Sequence, residues 1–395
     1  MMPTGCRLLQ LFPGESVGGA ERYALVVATE AVRRGWEVHA AFPRREATAK
    51  LRGGFANSGV AVHALEIPDL RYRTARWLRE FLPPFVRTAA ICGRLKPDVA
   101  QIVLPWPDHC AGVMRATTLL GVPTVDVFQL VPEDFPVDGF RAAFVDAARR
   151  AGHRWVAVSP TARALLSRRY GVEPSTIAVI PNGVPVSGTG PDDAARAASR
   201  AAVLAEFGWT AGTTLLLTAA RLDPQKGFGD LVAAVPAVLD RHPEARFLWA
   251  GGGDVAVHRD AVRRAGLDGS IVLAGHRTDV ERLLAAADLF VFPTKFEGLP
   301  FALLEAMASG VPVVATAAPG VIDVVTGGEH ALLANVGSAE DLAAMVNRAL
   351  ADRPGTAAMA HRARERVADF SAERMAERTM ELLEETAACR ESRKG

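Results

Sequence analysis

Residues 289–316 read LFVFPTKFEGLPFALLEAMASGVPVVAT. Two short apolar runs, LFVF and VPVVAT, bound by turn formers, have the length and composition of buried strands. Between them a loop carries Glu297-Gly298-Leu299, and a helical stretch ends at Ser309-Gly310. Pro300 stands where a first helical residue tolerates proline, because its missing N–H has no partner in the helix. A strand, a helix and a strand at this spacing belong to an α/β architecture with a parallel sheet.

The same alternation extends in both directions. LLLTAA, ARFLWA, IVLAG, LFVF, VPVVAT and ALL follow one another between residues 215 and 333. CRLLQLF, VAVHAL, DVAQIV, TVDVF, WVAVS and IAVI do so in the first half. Near-continuous apolar strands separated by helix-length stretches predict two doubly wound α/β domains, which suits a chain of 395 residues. VPVSGTGPDD, residues 184–193, starts no periodic pattern and reads as the linker between residues 1–183 and 194–370. Residues 371–395 place Met375, Thr379, Leu382 and Leu383 near helical spacing, predicting a terminal helix that docks back toward the first domain. In open α/β sheets ligands bind beyond the carboxyl ends of the strands, so two such sheets facing each other predict an interdomain cleft.

Composition narrows the function. A formal net charge of +1 with 23% charged residues gives no overall excess of either sign for nucleic acid or an anionic membrane. Cys6, Cys92, Cys110 and Cys389 are scattered without CxxC spacing, the pattern of reduced thiols in a cytosol. The start, MMPTGCRLLQLF, breaks at Pro13-Gly14 unlike a leader peptide, and no run of about 18 apolar residues occurs. The expected location is cytoplasmic.

Four motifs carry chemistry. In FPGESVGGAER, residues 12–22, Gly14 and Gly19 have Walker spacing, but Ala20-Glu21 replace the Lys-Ser/Thr of an ATP loop. Gly18-Gly19 at the start of a helix still offers free N–H groups and a positive dipole end to a phosphate. A tight turn accounts for these glycines equally well. Gly251 to Ala256 matches the relaxed dinucleotide fingerprint, yet the next strand ends in His276-Arg277 where an adenine ribose would require an acid, which argues against a nicotinamide enzyme.

In TAARLDPQKGFGDLV, residues 218–232, Arg221 and Lys226 lie on the loop after a strand, separated by an Asp223-Pro224 turn. Two cations there can hold a diphosphate and neutralise charge as it departs. No Asp-x-Asp occurs in the chain, so neither a metal nor another cofactor is expected. Glu297 on its loop and Glu305 in the following helix bracket the same region, and a carboxylate accepting through both oxygens can select a vicinal diol of a sugar.

With GGAER (18–22), VSPTARALL (158–166), IPNGV (180–184), ARLDPQKG (220–227) and the Glu297 to Glu305 segment, the chain resembles retaining glycosyltransferase family 4 over nearly its whole length. The resemblance implies the GT-B architecture: two Rossmann-like domains facing a cleft, with the sugar donor in the second and the acceptor in the first. It implies that Arg221 and Lys226 contact the donor diphosphate, and that Gly19 approaches it through backbone. It further implies that Glu297 binds donor-sugar hydroxyls, Glu305 holds the ribose, and the His276-Arg277 loop lies near the base. Gly251, Gly298, Leu299 and Pro300 fall on the same donor side.

One departure stands out. Many members carry a histidine that assists donor positioning where this chain has Gln129, and an amide both donates and accepts hydrogen bonds. His109 lies nearby by topology. The implied chemistry is retention without a covalent intermediate: the acceptor attacks from the face the diphosphate leaves, and the leaving oxygen takes its proton. The expected partners are a nucleotide-sugar, by family frequency a UDP-hexose, and a small-molecule acceptor, with no nucleic acid. Asp108, Glu133 and Asp134 on first-domain loops would favour an amine-bearing acceptor such as an aminocyclitol of secondary metabolism. Two rivals remain. One is a lipid-linked or polysaccharide acceptor at a membrane surface, from Arg71, Arg73, Arg76 and Arg79 interleaved with Tyr72, Trp77, Phe81 and Phe85. The other is an inert nucleotide-sugar-binding homologue, for which Gln129 is the motive.

Overall fold

The computed structural model describes residues 5–14, 18–67, 77–107, 109–133, 139–186 and 192–391. It comprises two units, Met1–Gly183 with Ala372–Gly395, and Val184–Ser371.

Among the described residues the first unit holds seven strands: β1 (Arg7–Leu11), β2 (Glu37–Phe42), β3 (Ala61–Ala64), β4 (Val99–Leu104), β5 (Thr124–Phe128), β6 (Arg154–Ala157) and β7 (Ile177–Val179). They pair in parallel in the order β3-β2-β1-β4-β5-β6-β7. The connecting helices are α1 (Gly19–Arg33), α2 (Ala49–Asn57), α3 (Trp77–Leu95), α4 (Ala111–Leu119), α5 (Gly139–Arg150) and α6 (Pro160–Tyr170). The apolar-run reading missed β2, whose sequence EVHAAF opens with Glu37 and places His39 among the apolar residues. His39 is nonetheless 6% exposed, because both ring nitrogens have partners.

Those partners form one chain of hydrogen bonds. His39 Nε2 is 2.9 Å from Glu37 Oε1, His39 Nδ1 is 3.0 Å from His63 Nε2, and Arg94 is 3.4 Å from His63 Nδ1. The carboxylate can only accept and the guanidinium can only donate, which fixes the two ends of this chain. Burial, then His39, then Arg94 hold the His63 imidazole below its ordinary value. A folded-state value below the unfolded one means the unfolded chain binds more protons, so this contribution is complete above about pH 6.5 and fades as pH falls below it. The protection factors of β3 amides, corrected for intrinsic exchange, are expected to fall between pH 7 and 5, and His63→Gln to remove that fall.

Asp126, in the middle of β5, is fully buried, and its Oδ2 lies 2.9 Å from His153 Nδ1. The other ring nitrogen of His153 is 3.2 Å from Thr118 Oγ1 near the end of α4. Cys6, Cys92 and Cys110 are buried and in no disulfide among the described residues, and burial pushes the Cys92 thiol up to about 11.

In the second unit β8 (Thr214–Ala219), β9 (Ala245–Ala250), β10 (Ile271–Gly275), β11 (Leu289–Phe292), β12 (Val313–Thr316) and β13 (Leu332–Ala334) form a parallel sheet in the order β10-β9-β8-β11-β12-β13. Its helices are α7 (Asp193–Glu206), α8 (Phe228–Leu239), α9 (Val255–Arg264), α10 (Val280–Ala286), α11 (Phe301–Ser309), α12 (Ala339–Ala351) and α13 (Arg353–Arg366). Both sheets step outward from their first strand and then reverse, the doubly wound order. The stretch read as linker ends in structure: Asp192 caps α7 by accepting the Ala195 N–H at 2.7 Å. Val184 bridges to Ser371 in parallel.

The chain then returns to the first unit as α14 (Ala372–Glu391). Met375, Thr379, Leu382 and Leu383 are all buried, and Thr379 meets Tyr23 of α1 at 2.7 Å. No helix among the described residues is long and apolar enough to cross a membrane.

Candidate functional site

In the second unit the strand order reverses between β8 and β11, which pair with each other. Loops beyond the carboxyl ends at such a reversal splay apart and leave a crevice for a ligand. The loop after β8 carries Arg221 and Lys226, and the loop after β11 carries Glu297. Lys226 Nζ lies 2.5 Å from Glu297 Oε1, with the two side chains 14% and 9% exposed. Two residues 71 positions apart in sequence thus form one charged, partly buried pair.

The local chemistry explains how. Asp223 accepts the Gln225 N–H at 3.1 Å, capping a single 3-10 turn over Pro224–Lys226. Gly227 follows at φ +72, and a Cβ there would lie 1.8 Å from the carbonyl oxygen of Pro293. Only glycine accommodates both this backbone conformation and this approach of the two loops. Gly251 serves the next strand in the same way, since its Cβ would lie 1.8 Å from the carbonyl oxygen of Ala220. That carbonyl also accepts the indole N–H of the buried Trp249 at 2.7 Å, and Trp249 packs edge-on against Phe228. Gly227 and Gly251 are therefore both explained by backbone crowding.

Glu297 donates its N–H to Pro319 O at 2.9 Å. Thr294, fully buried, donates to the same Glu297 Oε1 that Lys226 reaches, at 2.8 Å. Oε1 thus has two donors within the protein. Gly298, Leu299 and Pro300 are buried, and Pro300 is the N-cap of α11, not its first helical residue. Its ψ of 117 is extended, and the helix begins at Phe301. Glu305 is half-buried on α11.

Arg221 and His276 are exposed. Arg277, in contrast, is bound to its neighbours: its guanidinium lies 2.8 Å from Asp279 and 2.5 Å from Glu206, and Arg282 joins both acids. Asp279 first and Glu206 second raise the Arg277 value, and Arg277 holds the Asp279 carboxyl far below the usual carboxylate range. This network stiffens the loop after β10, and its charge is taken up internally. Among the described residues no three His, Cys, Asp or Glu side chains gather to hold a metal ion.

Residues 213–352 match the sequence signature of glycosyl transferases group 1, and residues 17–187 match that of glycosyltransferase family 4. The chain belongs to glycosyltransferase family 4. Mannosylfructose-phosphate synthase of Agrobacterium fabrum is 30% identical over 204 residues, 47% of this chain and 42% of that protein. D-inositol 3-phosphate glycosyltransferase of Nocardiopsis dassonvillei is 28% identical over 305 residues, 72% of this chain and 69% of that one. The aligned part thus spans under half the length of the first of these relatives. The crystal structure of HepE from Anabaena in complex with UDP and glucose superposes with a TM-score of 0.79 at 20% identity, covering 96% of this chain and 99% of that one. This likeness establishes the GT-B fold.

Within the family 4 frame the first unit places its candidates as follows. Gly19 opens α1, but Glu21 folds back to accept the Gly18 N–H at 2.8 Å, so the chain itself neutralises part of the helix's positive end. Gln129 stands one residue past β5, 8% exposed, with its Oε1 accepting from Asn182 Nδ2 at 3.0 Å. Its Nε2 has no partner among the described residues, so it offers a donor to an incoming oxygen. His109, in the loop after β4, is 2% exposed. Glu133 is ion-paired with Arg168 at 2.8 Å. The cation comes from α6, 35 positions away in sequence. Asp108, Asp134 and Arg71, Tyr72, Arg73 and Arg76 lie outside the described residues. Sequence reading missed Thr294 and Gln225, which carry no charge and whose roles exist only where the two loops meet.

Proposed function

We propose that this chain is a glycosyltransferase that moves a hexose from a nucleotide-sugar, a UDP-hexose by preference, to an acceptor with retention at the anomeric carbon. The observation that supports it is the Lys226–Glu297 pair at the strand reversal, which sets a cation for a diphosphate beside a carboxylate for a sugar. The diphosphate leaving group gains charge as the glycosidic bond lengthens. Lys226, with Arg221 swinging in from solvent, stabilises that charge, and the α11 amides add a positive dipole end. The leaving oxygen is itself basic enough to take the acceptor's proton, so no strong protein base is needed. Gln129 Nε2 donates to a donor-sugar or acceptor oxygen in the position of the family histidine, and Glu305 accepts from the ribose.

Paired cations without Asp-x-Asp fit metal-independent transfer. Nucleotide-sugars as donors fit a cytoplasmic location. For the acceptor, an amine-bearing small molecule keeps Asp108 and Asp134 as its support, since Arg168 already neutralises Glu133. Incubating the protein with a panel of nucleotide-sugars and amine-bearing or neutral acceptors, with mass-spectrometric readout, tests the whole reading. Transfer is expected with one donor and to persist in excess chelator. Loss of turnover in EDTA with recovery in magnesium or manganese refutes metal independence, and nucleotide-sugar binding without transfer or hydrolysis favours the inert homologue.

A further inference from the structure

Glu297 is held by more than its ion pair. The backbone around it is fixed from several sides: Gln225 Nε2 donates to Phe296 O at 2.7 Å, Lys295 N to Gln225 O at 2.8 Å, and Glu297 N to Pro319 O at 2.9 Å. Thr316 Oγ1 in addition donates to Thr294 O. What remains soft is the carboxylate itself, because the last torsion of a glutamate is broad and two-fold.

Lys226 alone cannot choose between the two carboxylate oxygens. An ammonium is a compact charge with three rotatable donors, equally satisfied by either. Its other donors are available to the diphosphate. Thr294 can choose. It is β-branched, its χ1 is stiff, and its side chain is fully buried beside the end of β11. Its hydroxyl meets Glu297 Oε1 at 2.8 Å, where Lys226 Nζ also lies at 2.5 Å. A carboxylate has about four acceptor directions, two on each oxygen. Oε1 is filled by these two donors, and Oε2 has no partner among the described residues.

We propose that Thr294 is a positioning residue that fixes the rotation of the Glu297 carboxylate, so that Glu297 reads a single donor-sugar hydroxyl through Oε2. The proposal deepens the nucleotide-sugar reading above and rests on it. Thr294 touches no substrate. It fixes Oε1 from a stiff, buried side chain, while Lys226 meets the same oxygen and keeps donors for the diphosphate. Selectivity for the sugar then comes from one hydrogen bond of fixed direction, and a neighbouring hydroxyl must find another partner.

Thr294→Val is isosteric and leaves Gln225 O bonded to Lys295 N, so the loops keep their backbone bonds. The test compares wild type, Thr294→Val and Thr294→Ser, with donor turnover measured on the nucleotide-sugar panel and UDP and GDP affinity by calorimetry. In Thr294→Val, kcat is expected to fall at least about tenfold with nucleoside diphosphate affinity within about twofold of wild type, and Thr294→Ser is expected to recover most of the loss. Among mono-deoxy donors, wild type is expected to penalise one position sharply and Thr294→Val to flatten that preference. Undiminished kcat in Thr294→Val, a serine variant as impaired as the valine, or a parallel fall in diphosphate affinity overturns the assignment while leaving the donor reading intact. A wild type that neither turns over a nucleotide-sugar nor binds a nucleoside diphosphate overturns the donor reading, and this proposal with it.

Discussion

Lys226→Ala is expected to lower kcat/KM for the nucleotide-sugar by roughly 150-fold, about 3 kcal/mol of transition-state stabilisation. The cation faces a leaving group whose charge grows only as the bond breaks, so the loss should fall on kcat more than on KM. The structure adds a condition. Lys226 is 2.5 Å from Glu297 with both side chains mostly buried, so either substitution alone leaves a charge without its partner. Effects at neighbouring charges are coupled. The double variant with Glu297→Ala is therefore expected to lose less than the two single losses added together, by about 1 kcal/mol or more. Additive losses in steady-state kinetics would show that the two residues act independently and that their pairing has no part in catalysis.

His153→Ala is expected to destabilise the first unit by about 3–5 kcal/mol, the cost of stranding a buried charge. Asp126 is fully buried on β5, and its Oδ1 already lacks a partner, so His153 at 2.9 Å from Oδ2 is what compensates the carboxylate. Replacing the pair together, Asp126→Val with His153→Leu, removes the uncompensated group and is expected to recover most of that loss. Thermal unfolding followed by a probe of the first unit, such as the fluorescence of its buried Trp155, separates the two outcomes. Equal instability of the single and double variants would show that packing around the pair, and not its charge, sets the cost.

The sequence by itself determined a great deal here. Among the described residues, twelve of the thirteen strands are readable as apolar runs, most of them because burial leaves few polar positions to blur the pattern. The exception, β2, escaped because His39 and Glu37 look like surface residues until His63 and Arg94 are brought beside them. Lys226 and Glu297 stand out in the sequence as charged residues just after apolar strands, and Glu305 as an acid set among Leu303, Leu304, Ala306 and Met307 of a helix; the structure brings the first two together. Other features were decided only by tertiary structure. Glu133 is neutralised by Arg168, 35 positions away, and Arg277 is bound by Glu206, 71 positions away. Thr294 and Gln225 gain meaning only where Gly227 lets the loop after β8 meet the one after β11. Local sequence reports which groups a segment carries and how it folds on itself. Which oxygen of Glu297 stays free depends on donors from two loops that share no local signal, and only their packing brings those donors to one atom.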